Sequence, residues 1–327
     1  MHFDLELFRK TAIGASEVAL VGGKYRFSRF SAREGEAIQD WALAMCTAGI
    51  RLSFLTDAKA VSLKVATESA LPIRSYFSFD IYENNCLLGH IRNFEDGLPT
   101  VYSGLEYPLG SFSGYFVLNE GQKKVDILFP HSVIGSIEEL ELEGANFCKP
   151  AELRKTLFAY GDSITQGYDA LYPSNTYVQK LADLWDMDLI NKGIGGAVFL
   201  PKLAEASSDK ADAIIVAYGT NDWNACTHAE FREKATAFLD ALDKLHPDIP
   251  KLVLSPIWRL DWEDKTSFGE SSLVGKILEK ICQDRCNTHY LSGWELLPHD
   301  TAFFGDGMVH PTDAAFEIFL DNLKKQL

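Results

Sequence analysis

The sequence predicts a chain of two unlike halves: an all-β sandwich over residues 1–150, then an α/β unit built on a parallel sheet over residues 151–327. Three observations predict it. Apolar residues alternate with period two before residue 150. After it, short apolar runs alternate with amphipathic helical stretches. The 327 residues also exceed the roughly 250–300 at which a single core stops growing.

In the first half, Ile50, Leu52 and Phe54 form one alternating set. Val61, Leu63 and Val65 form a second, Phe77, Phe79 and Ile81 a third, and Val125, Ile127 and Phe129 a fourth. Glu83-Asn84-Asn85 and Asn119-Glu120-Gly121 punctuate these runs as turns. Helix is expected only as a short stretch over Ala37–Cys46. The pattern reads as a sandwich of jelly-roll type, and it offers no catalytic constellation.

In the second half, Thr156–Tyr160, Leu189–Asn191, Ala213–Tyr218, Leu252–Ser255 and His289–Leu291 read as strands. The clearest helix is His228–Leu245, with Phe231, Ala235, Phe238, Leu239, Leu242 and Leu245 on one face. Thr176–Asp186, Ser271–Cys286 and Thr312–Leu327 read as further helices. Strand–helix alternation implies a parallel sheet covered on both faces, whose ligands sit beyond the carboxyl ends of the strands. Residues that do chemistry should therefore follow strands.

Composition narrows the function. An apolar content of 46% is that of a globular protein, and no run reaches the roughly 18 apolar residues of a membrane helix. The start, Met1-His2-Phe3-Asp4-Leu5-Glu6, lacks the basic and apolar regions of a signal peptide, so the expected location is the cytoplasm. A net charge of −15 argues against nucleic acid or an anionic membrane as partner. Cys46, Cys86, Cys148, Cys226, Cys282 and Cys286 are scattered without a C-x-x-C pair. Cys282 and Cys286 stand one helical turn apart, but no other pair completes a metal site, and buried reduced thiols are expected. Oligomeric state leaves no signature.

Four segments carry chemistry. The first strand runs into Gly161-Asp162-Ser163-Ile164-Thr165-Gln166-Gly167, where a serine at a strand-to-helix turn is either an exposed nucleophile or an N-cap. The second ends at Asn191-Lys192-Gly193-Ile194-Gly195-Gly196, whose glycines let backbone N–H groups approach a ligand. A dinucleotide fingerprint fails there because Val198 holds the third glycine position. The third ends at Tyr218-Gly219-Thr220-Asn221-Asp222-Trp223, where an asparagine amide can donate to an oxyanion or simply turn the chain. The last loop, Gly305-Asp306-Gly307-Met308-Val309-His310-Pro311, supplies a histidine and an acid, which is what an unactivated serine hydroxyl needs.

As an ordered set, Gly161-Asp162-Ser163, Gly193–Gly196, Gly219-Thr220-Asn221-Asp222 and His310-Pro311 resemble the four blocks of the SGNH (GDSL) hydrolase superfamily. The resemblance spans the C-terminal half and implies a flavodoxin-like three-layer domain. It implies Ser163 as nucleophile, His310 as base, and an oxyanion hole of the Ser163 and Gly196 N–H groups with the Asn221 side chain. The string Gly167–Ser174, together with the preceding sandwich, is similar to a subgroup of carbohydrate esterases and polyketide-type acyltransferases with an N-terminal jelly roll. One departure stands out. The family places its acid three residues before the histidine, where this chain has Gly307; Asp306 lies four before it and is expected to reach the ring if the loop bulges, the alternative being a Ser–His dyad. Asp313 is expected to cap or open the last helix.

These residues imply two-step acyl transfer from a small acyl ester without metal or cofactor. Trp223, Trp258 and Arg259, which follow strands, are expected to border the substrate, where aromatic planes suit a sugar face; the alternative for each tryptophan is core packing. The alternatives are an acyltransferase on the same scaffold and a carbohydrate-binding protein with a vestigial hydrolase half.

Overall fold

The computed structural model describes residues 1–327 apart from 40, 72, 208–209 and 265. The strands β1 (Ala12–Ile13), β2 (Glu17–Val21), β3 (Lys24–Ser28), β4 (Arg51–Thr56), β5 (Ala60–Glu68), β6 (Ser78–Glu83), β7 (Cys86–Arg92), β8 (Gly110–Val117), β9 (Lys123–Leu128), β10 (Ile134–Glu143) and β11 (Cys148–Pro150) form two antiparallel sheets. One runs β1-β4-β9-β6-β7 with β11 also on β4; the other runs β2-β3-β10-β5-β8. Every alternating set named above lies in one of these strands or at its edge. Their inward side chains, among them Phe54, Val61, Phe79, Val125 and Phe129, close one core between the sheets. Asn84 and Asn85 take positive φ, 49° and 66°, in the two-residue turn between β6 and β7.

Helix is more extensive here than expected. Helix α1 (Leu5–Thr11) is capped by Asp4 and buries Phe8. Helix α2 (Ala32–Ile38) begins at a Ser31–Glu34 capping box and stops at Gln39, φ 50°; a separate 3₁₀ turn follows over Ala42–Met45. The expected Ala37–Cys46 helix is thus two pieces, because the cap fixed an earlier start.

The parallel strands β12 (Lys155–Gly161), β13 (Met187–Asn191), β14 (Ala213–Ala217), β15 (Lys251–Leu254) and β16 (Thr288–Leu291) lie in the order β13-β12-β14-β15-β16. Taken within this half, that is the 2-1-3-4-5 order of the flavodoxin-like fold. Its helices are α3 (Ser163–Gln166), α4 (Tyr177–Leu184), α5 (Pro201–Ala206), α6 (Asp222–Ala225), α7 (His228–Leu245), α8 (Ser272–Cys282) and α9 (Asp313–Lys324). Side chains alternate across the sheet: Phe158 and Tyr160 pack with Phe238 on one face, Leu157 and Ala159 with Phe316 on the other. Helix α7 holds its expected bounds under a Thr227–Glu230 capping box, although Leu245 is 42% exposed. All six cysteines are free; Cys46, Cys226 and Cys282 are buried as expected, but Cys86, directly after the β6–β7 turn, and Cys286, beyond the end of α8, are exposed. Among the described residues no helix is long and apolar enough to cross a membrane.

Buried charges tie the halves together. Arg29 donates to the carbonyls of Cys46 and Leu43 on its own side and of Asn191 and Gly193 across the seam. Lys192 reaches back to the Glu34 carboxylate at 2.9 Å and the Arg29 carbonyl at 2.7 Å. Arg51 pairs with Asp188. In this strand order the switch point lies beside β12, so the crevice that positions a ligand opens at its C-terminal end.

Candidate active site

Strand β12 turns into α3 within two residues, and Gly161 makes the turn possible. A Cβ there would stand 2.1 Å from Thr165 Oγ1 and 2.7 Å from the Ala217 carbonyl. Asp162 caps the helix by accepting the Ile164 N–H at 3.0 Å. The next residue, Ser163, is therefore held at the mouth of the crevice with its side chain turned toward the last loop.

That loop delivers the partner. Ser163 Oγ lies 2.7 Å from His310 Nε2, and His310 Nδ1 lies 2.5 Å from Asp306 Oδ2. The offset acid is accommodated by the loop wrapping around its other oxygen. Asp306 Oδ1 accepts the N–H groups of Met308 and Val309, both at 2.9 Å, and of His310 at 3.2 Å. Gly307 takes φ 70°, which lets the chain make that turn. Burial pushes the Asp306 carboxyl up, but the His310 imidazole and these N–H groups outweigh it and hold it well below the usual range. A hydroxyl, an imidazole and an ionised carboxylate so aligned can generate an alkoxide-like nucleophile and hold the imidazolium that results.

Two glycine-bearing turns flank the serine. The Ile194 N–H donates to the Gly161 carbonyl at 3.0 Å, stitching the turn after β13 to the turn after β12. Gln166 Oε1 accepts the Gly195 N–H at 2.7 Å, while its amide donates to the His131 carbonyl at 2.8 Å. A Cβ on Gly193 would come within 2.5 Å of the Gln166 nitrogen, so this close approach requires glycine. Gly196 follows at φ 78°. Asn221, which caps α6, donates one amide hydrogen to the Ala197 carbonyl at 2.9 Å, leaving its second for another acceptor. Two buried acids support these turns. Burial raises Asp162 to about 7, with the Asp222 charge adding to it, and burial raises Asp222 to about 6.

The sandwich contributes to the same cluster, which the sequence did not reveal. Arg74, in the loop between β5 and β6, donates from Nε to Asp169 Oδ1 at 2.8 Å. Its Nη2 lies 2.8 Å from His310 Nδ1 and 3.4 Å from Asp306 Oδ2. The guanidinium sits 4.5 Å over the Tyr168 ring, whose centroid is 5.6 Å from that of His310. Asp169 takes φ 66° and also accepts from Tyr76 at 3.0 Å. Asp169, Asp306 and His310 have ligand atoms within 4.8 Å of one another, a spacing that could suit a metal, but the Arg74 cation already contacts all three.

The expected aromatic border needs correction. Trp223 is 2% exposed, packs in the core and spends its indole N–H on the Gly269 carbonyl at 3.1 Å. Arg259 is buried, pairs with Asp261 and lies 5.4 Å over the Trp223 ring. Neither offers a free face to a ligand, because the residue after a strand can point into the layer of helices as readily as into the crevice. Trp258 is half-buried and stacks on His299 at 5.6 Å. An aromatic from the sandwich, Trp41, does stand beside the glycine turn, its ring 3.5 Å from where a Gly196 Cβ would be. Asp313, as expected, opens α9, and it also accepts the Leu171 N–H at 3.0 Å.

Residues 159–318 match the GDSL-like Lipase/Acylhydrolase family. None of the curated proteins matches the chain in sequence. Among solved structures, the salicylyl-acyltransferase SsfX3 from a tetracycline biosynthetic pathway superposes with a TM-score of 0.80 at 19% identity, covering 96% of this chain and 93% of that one. A protein from Bacteroides ovatus described as a GDSL-like lipase gives 0.78 at 19% identity, covering 100% and 96%. A family two carbohydrate esterase from Clostridium thermocellum, in complex with cellohexaose, gives 0.62 at 12% identity, covering 86% and 92%. At these identities the structural likeness establishes the fold, sandwich and parallel sheet together.

Proposed function

The chain carries a GDSL-like lipase/acylhydrolase domain and is an enzyme of that class, and from that premise we propose that it cleaves small acyl esters through an acyl-enzyme on Ser163. The observation that carries the reading is the 2.7 Å contact between Ser163 Oγ and His310 Nε2, continued at 2.5 Å to Asp306. His310 takes the hydroxyl proton as Ser163 attacks the ester carbonyl. The Ser163 and Gly196 N–H groups and the free amide hydrogen of Asn221 receive the oxyanion, each donor contributing about 3–4 kcal/mol. The protonated His310 then returns its proton to the departing alkoxide, and water reverses the sequence to release the acid.

The substrate class we propose is an acetylated sugar. Trp41, half-buried beside the glycine turn, offers an aromatic plane of the kind a sugar face requires. Structures that share this fold include the cellohexaose-bound esterase and an acetyl xylan esterase from Butyrivibrio proteoclasticus. Acyl transfer to an alcohol other than water is the second reading, favoured by the near-complete superposition on the salicylyl-acyltransferase. The two-part organisation at residues 1–150 and 151–327 belongs to the same proposal, the first part acting as an accessory to the second.

Turnover of p-nitrophenyl acetate and of acetylated mono- and oligosaccharides, each with the Ser163→Ala variant beside it, tests this. Ser163→Ala is expected to fold normally and lose at least a thousandfold in kcat/KM. Retained turnover in that variant would remove Ser163 as nucleophile. Acetylated sugars no better than p-nitrophenyl acetate in kcat/KM would remove the sugar. Product analysis with added alcohol acceptors separates transfer from hydrolysis.

A further inference from the structure

His310 Nδ1 faces two groups that cannot both bond to it in one protonation state. With the proton on Nδ1, the ring donates to Asp306 Oδ2 at 2.5 Å, and Nε2 is free to accept from Ser163. Arg74 Nη2, 2.8 Å from Nδ1, is then donor against donor, and its better acceptor is Asp306 Oδ2 at 3.4 Å. With the proton on Nε2, Arg74 donates to Nδ1 instead. The ionised Asp306 then faces a lone pair, and His310 is the wrong tautomer for a base. The position of the guanidinium is therefore coupled to the proton that the chemistry moves.

What fixes that position is Asp169. Its Oδ1 holds Arg74 Nε at 2.8 Å, and Tyr76 donates to the same oxygen at 3.0 Å. The other Asp169 oxygen is buried with no hydrogen-bond partner among the described residues, so the carboxylate depends on Arg74 for compensation. Around His310 the charged and titratable groups are Asp306 on its own loop, Arg74 from the β5–β6 loop, and Tyr168 and Asp169 after α3, with Tyr76 and Tyr102 behind Asp169. Along this line the signs alternate: Asp169 negative, Arg74 positive, Asp306 negative, and the imidazolium positive when it forms.

We propose that Arg74, delivered by the sandwich and anchored on Asp169, is a positioning residue that sets which nitrogen of His310 carries the proton and how readily the imidazolium forms. This rests on the reading of His310 as the base of Ser163. Removing the cation leaves two carboxylates to favour the imidazolium; removing Asp169 leaves the cation to oppose it. The two changes push in opposite directions.

The test is the pH profile of p-nitrophenyl acetate kcat/KM for the full chain as wild type, Arg74→Gln, Arg74→Lys and Asp169→Asn. It is paired with ¹⁵N NMR of the histidine ring, assigned with His310→Gln, which reports tautomer and titration whether or not ester is turned over. In Arg74→Gln the acid limb and the His310 titration are expected to move up by about one pH unit, a tenfold loss on the acid side. In Asp169→Asn both move down, and Arg74→Lys stays near wild type. Limbs and titrations that coincide in all four proteins, or that move the same way in Arg74→Gln and Asp169→Asn, would overturn the proposal. If Arg74→Gln does not fold, the Asp169→Asn and Arg74→Lys pair still decides it by the direction of the first. NMR titrations that separate as expected in a chain without esterase activity would keep the coupling and reject the Ser163 reading.

Discussion

Arg29 and Arg74 both leave the sandwich, are largely buried, and cross to the α/β half, yet they end on different partners. Among the described residues the hydrogen bonds that Arg29 donates go to backbone carbonyls, including those of Asn191 and Gly193. Burial lowers it to about 10, and its partners have no charge to exchange. Arg74 meets two carboxylates and an imidazole, and it is raised despite its burial because Asp169 and its neighbours oppose the desolvation. A cation on carbonyls is a fastening, since nothing it touches changes during a reaction. A cation on titratable groups is part of their proton balance. The partner, rather than the residue type or the depth, separates structure from chemistry at the two seams.

Three substitutions sharpen or break this contrast. The largest effect belongs to the Arg74 seam: Asp306→Asn keeps the shape but offers Nδ1 a donor in place of an acceptor. It is expected to lose about a thousandfold in kcat with little change in the urea midpoint; equal activity would show that His310 needs no carboxylate. Next, Arg29→Met leaves several carbonyls buried without a donor. It is expected to cost about 3 kcal/mol in urea unfolding while kcat per folded molecule stays within about threefold. A collapse of kcat at unchanged stability would place Arg29 in the chemistry and erase the distinction. The third effect, spread over several pH units, lies between the seams at Asp162. Burial holds its folded value near 7, so the native state keeps a proton that the unfolded chain releases near pH 4. Stability should therefore fall as pH rises from about 4 to 7, by up to about 1.4 kcal/mol per pH unit. Asp162→Asn, which can still accept the Ile164 N–H, should flatten that fall in melts across this range. An unchanged slope would assign the titration to another group.

What was legible in the sequence follows the range of the interactions. Helix α7 keeps its expected limits because its capping box and apolar stripe are local. Ser163, Gly196, Asn221 and His310 stand out as candidates because each sits at a strand end or the last loop, where the fold class directs attention, and in the order of the family blocks they resemble. Asp306 was readable only as a candidate: no local rule says that three N–H groups will fold around one of its oxygens. Trp223 stays undecided between crevice and core because the pattern gives its place after a strand but not which side it faces; the fold puts it in the core. Arg74 carries no local signal, being one arginine in a loop whose importance comes from residues 95 and 236 positions away. Helix α1 went unread although Asp4 and the buried Phe8 are the signals of a capped, one-sided helix.

The delivery of Arg74 from the first half bears on protein engineering. A designer who transplants residues 151–327 onto another scaffold would carry over the serine, the histidine and the acid but leave the guanidinium behind. Asp169 would arrive with a buried negative charge and no counterion, forced either to take up a proton or to let solvent in beside the imidazole. The portable unit is thus larger than the stretch that bears the catalytic signature, and it must include the loop that ends β5.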